Sequence, residues 1–597
     1  MIILWISVLF VVRSKGDQPS NAYDTLENDI RTTMNTSVDP CTDFYEFACG
    51  GWLTSSNASL KSSKNKVARS FTVTSDINQA ILYDLIRKNA TDERVRLFTQ
   101  SCMDLQSIEE HGLDSPSISR YLDEIDAVDS LGDVLRAAGR LRQINGAFVV
   151  ASDVVVNSQD PQRYVLSLRP AGLIMNNPSI YKSADNPKLK AYKKHVALML
   201  SMFEDGDAES SAEAIVEFER QMYSARRVKQ PSNARSNVSS TESQMSLANF
   251  TQTTGVDWGV FLRAAGFSLS GDASISVKYV NVMKRISSTV QSTPTSTLKA
   301  FLKWALISVI SQFLPDKMRR ADFEFFQKRL LGKQKPAQRW RYCTELADQY
   351  LSELTGPAFI NAKFSPAAKT EAAEILNSTM TAFASQFKKL DWMDQATNVL
   401  AVDKIAHMKA LIGYPDKWDA NMYDGIDFNT NISFAEMMIQ VKMNDWMQTV
   451  LELTSKVDRK KWTKPVTTVN AYYTPTLNAI TFPAGILQKP FFSADYPITM
   501  NFGGIGFIMT HELVHGFDDK GRQFNKLGGI KKWWPEHVLK AYQQRVQCYR
   551  QQYSMMRDND PISGNISVNA NQTMGENIAD NGAVDLGLSA MKNRPTS

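Results

Sequence analysis

The chain has 597 residues, 43% of them hydrophobic and 22% charged, with a formal net charge of +5. That length exceeds the roughly 250–300 residues at which a single core stops growing, so two or more domains are expected. The densest basic clusters are Lys61, Lys64, Lys66, Arg69 and Arg459, Lys460, Lys461; neither sits in a recognisable nucleic-acid module, so both read as solvated surface and no nucleic-acid partner is expected.

In chain order, the first element is Ile2 to Val12, apolar almost throughout and closed by Arg13 and Lys15. About a dozen residues is short of the ~20 needed to span a bilayer. It fits the hydrophobic region of a secretory signal peptide, placed at residues 1–16. The segment has no basic n-region and no clear small-x-small cleavage site, so a signal anchor, giving a type II membrane protein, is the alternative. No later stretch reaches 18 uninterrupted apolar residues, and no membrane span is expected after cleavage. Nine Asn-x-Ser/Thr sequons, at Asn35, Asn57, Asn89, Asn237, Asn249, Asn377, Asn431, Asn565 and Asn571, agree with export to the cell exterior. Five cysteines, Cys41, Cys49, Cys102, Cys343 and Cys548, leave one over if the others pair.

From about Asn78 to Asn398 the pattern is mainly helical, with apolar residues at spacings of three and four over 93–102, 130–143, 188–203, 209–223, 297–313 and 367–390. The polar stretch 229–247, with Pro231 and several serines, reads as a surface loop. A second helical block ends near Ile412, before Gly413, Tyr414 and Pro415. From Val466 β-formers take over: Thr467 to Tyr473 and Ile480 to Phe482 predict two short strands around the turn 475–478. Gly503, Gly504 and Gly506 then lead into a buried helix, and the remainder is helical with loops.

That buried helix carries His511-Glu512-Leu513-Val514-His515. Residues four apart share a helix face, so both imidazoles can point at one ion. Glu512 lies beside them and can accept a proton from water held there, whose pKa zinc lowers from ~16 to about 7. A chance pairing on a core helix is the bland alternative. The remaining histidines, His111, His195, His407 and His537, lie in no ligand pattern. A catalytic zinc needs a third protein ligand and an open position. A metzincin would place histidine where Gly521 stands, which excludes that class. Glu576, four residues before Asp580, supplies a carboxylate on a later helix, with Asp580 on the same face to orient a ligand histidine. Alone, such a pair is more often a solvated face; it gains weight beside the histidine pair.

Residues 511–522 (HELVHGFDDKGR), 575–582 (GENIADNG), 470–473 (NAYY) and 482–492 (FPAGILQKPFF), with 41–52 (CTDFYEFACGGW) and 412–416 (IGYPD), resemble the neprilysin and endothelin-converting-enzyme family. The resemblance runs from about Asp39 to Asn581. It implies His511, His515 and Glu576 as zinc ligands, Glu512 as general base, and Asp580 as the acidic residue that orients a ligand histidine or donates a proton. It further implies substrate-backbone binding by Asn470 and Ala471, in keeping with an exposed strand that pairs with an extended peptide. Ile486, Phe491, Phe507 and Ile508 would line the pocket for a hydrophobic residue just after the scissile bond; plain core is the equal alternative. Thr510 stands where the family usually has glycine. The family fold is mainly α, two largely helical lobes around a central cavity, with a thermolysin-like catalytic lobe and a small β element.

On this frame residues 17–77 form an N-terminal segment packing on the catalytic lobe, 78–412 a helical lobe covering the cavity, and 413–597 the catalytic lobe. The family pairing implies a Cys102–Cys343 disulfide. The family matches of Cys41, Cys49 and Cys548 pair with cysteines in a C-terminal stretch of roughly a hundred residues not present here, so the chain is expected to be a truncated one; a Cys41–Cys49 bridge is the alternative. The function expected is a secreted zinc metalloendopeptidase that cuts short peptides on the amino side of hydrophobic residues. The competing class is a catalytically impaired secreted binding or decoy protein that keeps the zinc site.

Overall fold

Polar caps and prolines set the helix boundaries. Ser130 accepts from Asp133 N to open the helix Leu131–Arg142, Ser115 opens Pro116–Asp126, and Ser365 opens Pro366–Phe387. Pro116, Pro187 and Pro366 occupy the first turn, where a missing N–H costs nothing. The computed structural model describes residues 27–28, 30–60, 70–146, 148–175, 177–203, 206–227, 242–560 and 564–593. The segment 1–16, expected to be a signal peptide, the Lys61–Arg69 cluster, Asn237 and most of the 229–247 stretch lie outside them.

The helices bury their apolar faces in two separate cores. The first gathers residues from Leu82 to Leu354 and then Tyr423 to Trp446. The second runs from Phe359 to Ala590 and contains the zinc-motif helix. These cores divide the chain differently from the expected boundary at 412/413. The helices Pro366–Phe387 and Gln395–Ala406 turn Ile375, Phe383, Ala401 and Ile405 into the second core. The later helix Phe434–Glu452 returns to the first, with Phe434 against Phe98 at 5.5 Å and Phe313 at 5.9 Å. Periodicity shows that a face is apolar, not which core receives it.

The helix Ser70–Arg87 spans both lobes. Its Leu82 and Ile86 enter the first core, while Phe71 and Ile81 pack against the second. Asn78 Nδ2 donates to Thr467 O at 3.2 Å and Gly485 O at 3.1 Å. The helices Glu93–Met103 and Arg339–Tyr350 are joined by the Cys102–Cys343 disulfide, S–S 2.04 Å. Cys41, Cys49 and Cys548 are free, so the Cys41–Cys49 bridge is not formed.

The 78–398 region is less purely helical than its periodicity predicts. A four-stranded sheet runs in the order Val150–Val156, Tyr164–Pro170, Ser274–Lys278, Glu242–Ser246. The first pair is antiparallel, with Val150 opposite Pro170, and the middle pair is parallel. Glu242–Ser246 falls inside the stretch expected to be loop. In the second lobe, Lys409–Gly413 pairs in parallel with Ala479–Pro483, which pairs antiparallel with Tyr472–Thr474. Ile412 thus lies in a strand opposite Phe482, not at a helix end. Tyr472–Thr474 is the edge of that sheet. Among the described residues no single helix is long and apolar enough to cross a membrane.

Candidate active site

The helix Phe507–His515 is aimed by glycine at its entry. Gly504 lies so close to the Phe491 carbonyl that a Cβ would sit 2.3 Å from its oxygen. Thr510, fully buried, returns its hydroxyl to Gly506 O at 2.8 Å, so the residue that replaces the family glycine leaves no unpaired polar group. The helix packs on Met574–Lys592, where Gly582 fits against Val514 and Ala579 and Ala583 are buried.

This crossing brings His511, His515 and Glu576 together, their ligand atoms all within 4.8 Å of one another. His511 Nε2 and His515 Nε2 are 2.9 Å apart. Glu576 Oε2 lies 3.3 Å from the first and 3.5 Å from the second. A tetrahedral ion with ~2.0–2.1 Å bonds sets its ligand atoms about 3.3 Å apart, so the triad fits zinc, and three protein donors leave one position open. The outer nitrogens are fixed in turn. His511 Nδ1 donates to Asp580 Oδ1 at 2.9 Å, and His515 Nδ1 to Asp518 Oδ2 at 2.8 Å. A carboxylate only accepts, so these bonds put a proton on Nδ1 and make Nε2 the ligating atom once it has given up any proton of its own.

The electrostatics follow from the four carboxylates. Burial works against charge on both rings, but hydrogen bonds to Asp580 and Glu576 hold His511 up at about 9, and those to Asp518 and Glu576 hold His515 up at about 10. Hydrogen bonds from His511 and His515 hold the Glu576 carboxyl well below the usual range. Burial pushes Glu512 up, opposed by the two histidines and by a backbone hydrogen bond from Tyr473.

A cleft of about 600 Å³ opens on this centre. His511, Glu512, His515, Glu576 and Asp580 line it, as do Asn470, Ala471, Phe507 and Ile508. Ile486 and Phe491, expected in the same wall, are 0% and 3% exposed in the second core, and neither lines the cleft. Phe491 instead stands behind Phe71, ring centroids 4.8 Å apart, and Phe71 reaches the cleft surface. Sequence reasoning missed Phe71, Tyr472, Tyr473, Lys520 and above all Asp518. The one available signal for Asp518 was its position three residues past His515, within reach of the ring's outer nitrogen.

Two models of peptidase family M13 match, an N-terminal one over residues 40–415 and a second over 470–597. Endothelin-converting enzyme 1 of Mus musculus is 28% identical over 596 residues, 95% of this chain and 75% of the relative. Endothelin-converting enzyme-like 1 of Homo sapiens is 28% identical over 593 residues, 94% of this chain and 74% of the relative. In fold, the chain is similar to the Mycobacterium tuberculosis zinc metalloprotease Zmp1 in complex with an inhibitor, with a TM-score of 0.84 at 24% identity, covering 95% of this chain and 87% of that one. PepO from Lactobacillus rhamnosis gives a TM-score of 0.76 at 23% identity, covering 89% of this chain and 84% of that one.

Proposed function

Because this chain belongs to peptidase family M13 and is by that membership a zinc metalloendopeptidase, we propose that it acts outside the cell on short peptides, cutting on the amino side of hydrophobic residues. The observation that carries this reading is the convergence, in one cleft, of the His511, His515 and Glu576 ligand atoms, the Glu512 carboxyl and an edge strand.

The outer edge of Tyr472–Thr474, continued by exposed Asn470 and by Ala471, offers main-chain groups to an extended substrate. Phe507, Ile508 and Phe71 give the cleft an apolar wall for the side chain after the scissile bond. Burying a large apolar side chain there is worth ~1.5–3 kcal/mol. His511, His515 and Glu576 would hold the zinc, which would supply Lewis-acid polarisation when bound. Glu512 takes the proton of the attacking water and returns it to the leaving amine; its upward shift brings its basicity nearer to working pH. Asp580 and Asp518 hold the two imidazoles in the ligating tautomer. Export is supported by the sequons: Asn89, Asn249, Asn377, Asn431 and Asn571 are all exposed, as a glycosylated surface requires.

Glu512→Gln tests the reading. The swap keeps shape and zinc content but removes the proton acceptor, so cleavage of a peptide such as X-Gly-Phe-X should fall by about 10²–10⁴. A variant that retains parental turnover would remove Glu512 from the role of base.

A further inference from the structure

Among the described residues, Lys404 is the most deeply buried cation the chemistry above leaves unused. It sits near the end of the helix Gln395–Ala406, outside every zinc-binding segment, and is 1% exposed. Its ammonium donates to three main-chain oxygens: Gly516 O at 2.6 Å, Gly521 O at 2.8 Å and Phe524 O at 2.8 Å. Three acceptors use all three N–H groups of a charged ammonium. Burial disfavours that charge, and the nearby Asp518 carboxylate favours it. A well-packed apolar side chain is often as stable as a buried charge or more so, so the position of this cation matters more than its contribution to packing.

The three carbonyls belong to the segment that leaves the zinc-motif helix and returns beneath it. Gly516 directly follows His515, and a Cβ at Gly521 would sit 1.8 Å from His515 O. Gly521 carries the coupling. Its carbonyl accepts from Lys404, while its N–H donates to Asp518 Oδ1 at 2.6 Å, beside the Lys520 N–H at 2.8 Å. The other Asp518 oxygen holds His515 Nδ1. A continuous path therefore runs from the ammonium through one residue, Gly521, whose C=O and N–H belong to adjacent peptide units, and one carboxylate to a ligand imidazole. On its other side, Lys404 O accepts from Asn478 Nδ2 at 3.0 Å, and Asn478 Oδ1 accepts from the Tyr473 hydroxyl at 3.1 Å. The same residue thus anchors the turn of the substrate hairpin.

We propose that Lys404 is a positioning residue of the zinc centre, acting through the Gly521 backbone and Asp518 to hold His515 in its ligating orientation. The proposal rests on His515 being a zinc ligand, as the proposed function has it. A lysine that only supported the lobe would lower stability without any specific dependence on Asp518.

A double-mutant cycle on zinc affinity, measured on the full chain by competition with a chromophoric chelator, separates the two. K404M and D518N should each weaken zinc binding by ~10–100-fold, as loss of a group that orients a ligand does. The K404M/D518N double variant should bind no more weakly than D518N alone, because both act on one path. The K404M/D580N pair, acting on different histidines, should lose the product of the single effects. The visible spectrum of the cobalt(II)-loaded K404M protein should shift as that of D518N does. If K404M does not fold, K404R, which keeps the charge in a different donor geometry, replaces it and should give a smaller loss with the same dependence on Asp518. A folded Lys404 variant with zinc affinity within twofold of the parent and an unchanged cobalt spectrum overturns the proposal, as do losses that multiply with D518N. A parent chain that binds no zinc overturns the proposed function itself, and this inference with it.

Discussion

At the scale of single residues, the centre is a competition between protons and metal. His511 and His515 lie in the field of Glu512, Glu576, Asp518 and Asp580, which outweighs burial and raises them to about 9 and 10. Their Nε2 atoms, 2.9 Å apart, leave room for one hydrogen between the rings. Metal requires both Nε2 atoms deprotonated. Below about pH 9, then, zinc uptake must displace about one to two protons, and affinity must rise with pH up to that point. Calorimetry of zinc binding at pH 7 in buffers of different ionisation enthalpy should show this release. Uptake with no proton exchange would mean that the carboxylates do not raise the two rings. The same residues show what sequence could supply: the His-Glu-x-x-His spacing and the Glu576/Asp580 pair carry their chemistry in their periodicity. Asp518 and Lys404 act through a folded-back loop whose hydrogen bonds no spacing rule describes.

At the scale of elements, the helices that follow the polar caps Ser130 and Ser365 were legible from their apolar periods. The strand Val150–Val156 was not, because Ser152 and Asp153 interrupt its apolar run and it is half covered. Lys409–Gly413 was absorbed into the preceding helix because Ile412 continues the apolar pattern, and only its pairing with Ala479–Pro483 makes it a strand. The entry to the zinc-motif helix depends on close approach. An alanine at Gly504 would drive its Cβ into the Phe491 carbonyl, which accepts from Ile505 N at 2.8 Å. Gly504→Ala should therefore destabilise the catalytic lobe by ~1–3 kcal/mol, as overpacking does. Gly425→Ala, with nothing within 4 Å of the new methyl, should leave it unchanged. Scanning calorimetry checks the pair, and equal melting temperatures for the two variants would show that the Gly504 contact relaxes freely.

At the scale of the whole molecule, the lobes meet at a buried carboxyl. Asp348 accepts from Gln79 Nε2 at 3.3 Å, from Thr355 Oγ1 at 3.1 Å and from the Thr467 hydroxyl, joining the helix Ser70–Arg87, the first lobe and the segment that leads to the substrate strand. Burial pushes its pKa up to about 6, against these hydrogen bonds. A carboxyl raised above its unfolded value of ~3.9 contributes stability that is present below that value and lost as pH rises through 6. The parent should thus lose about 2 kcal/mol relative to Asp348→Asn between pH 4 and pH 7, read from denaturant midpoints. A difference that does not change with pH would place the ionised carboxylate comfortably at the junction. The two-lobe fold was legible through family motifs spread from Cys41 to Gly582, whereas the exchange of helices between cores was not, since it depends on packing partners far apart in sequence. The proposed zinc site draws two histidines from one helix and Glu576 from another. Metal analysis of the purified chain and of Glu576→Ala tests it directly. About one zinc per chain is expected in the parent, with zinc lost from the variant on dialysis, as three-ligand sites require; full zinc retention by Glu576→Ala would remove Glu576 from the ligand set.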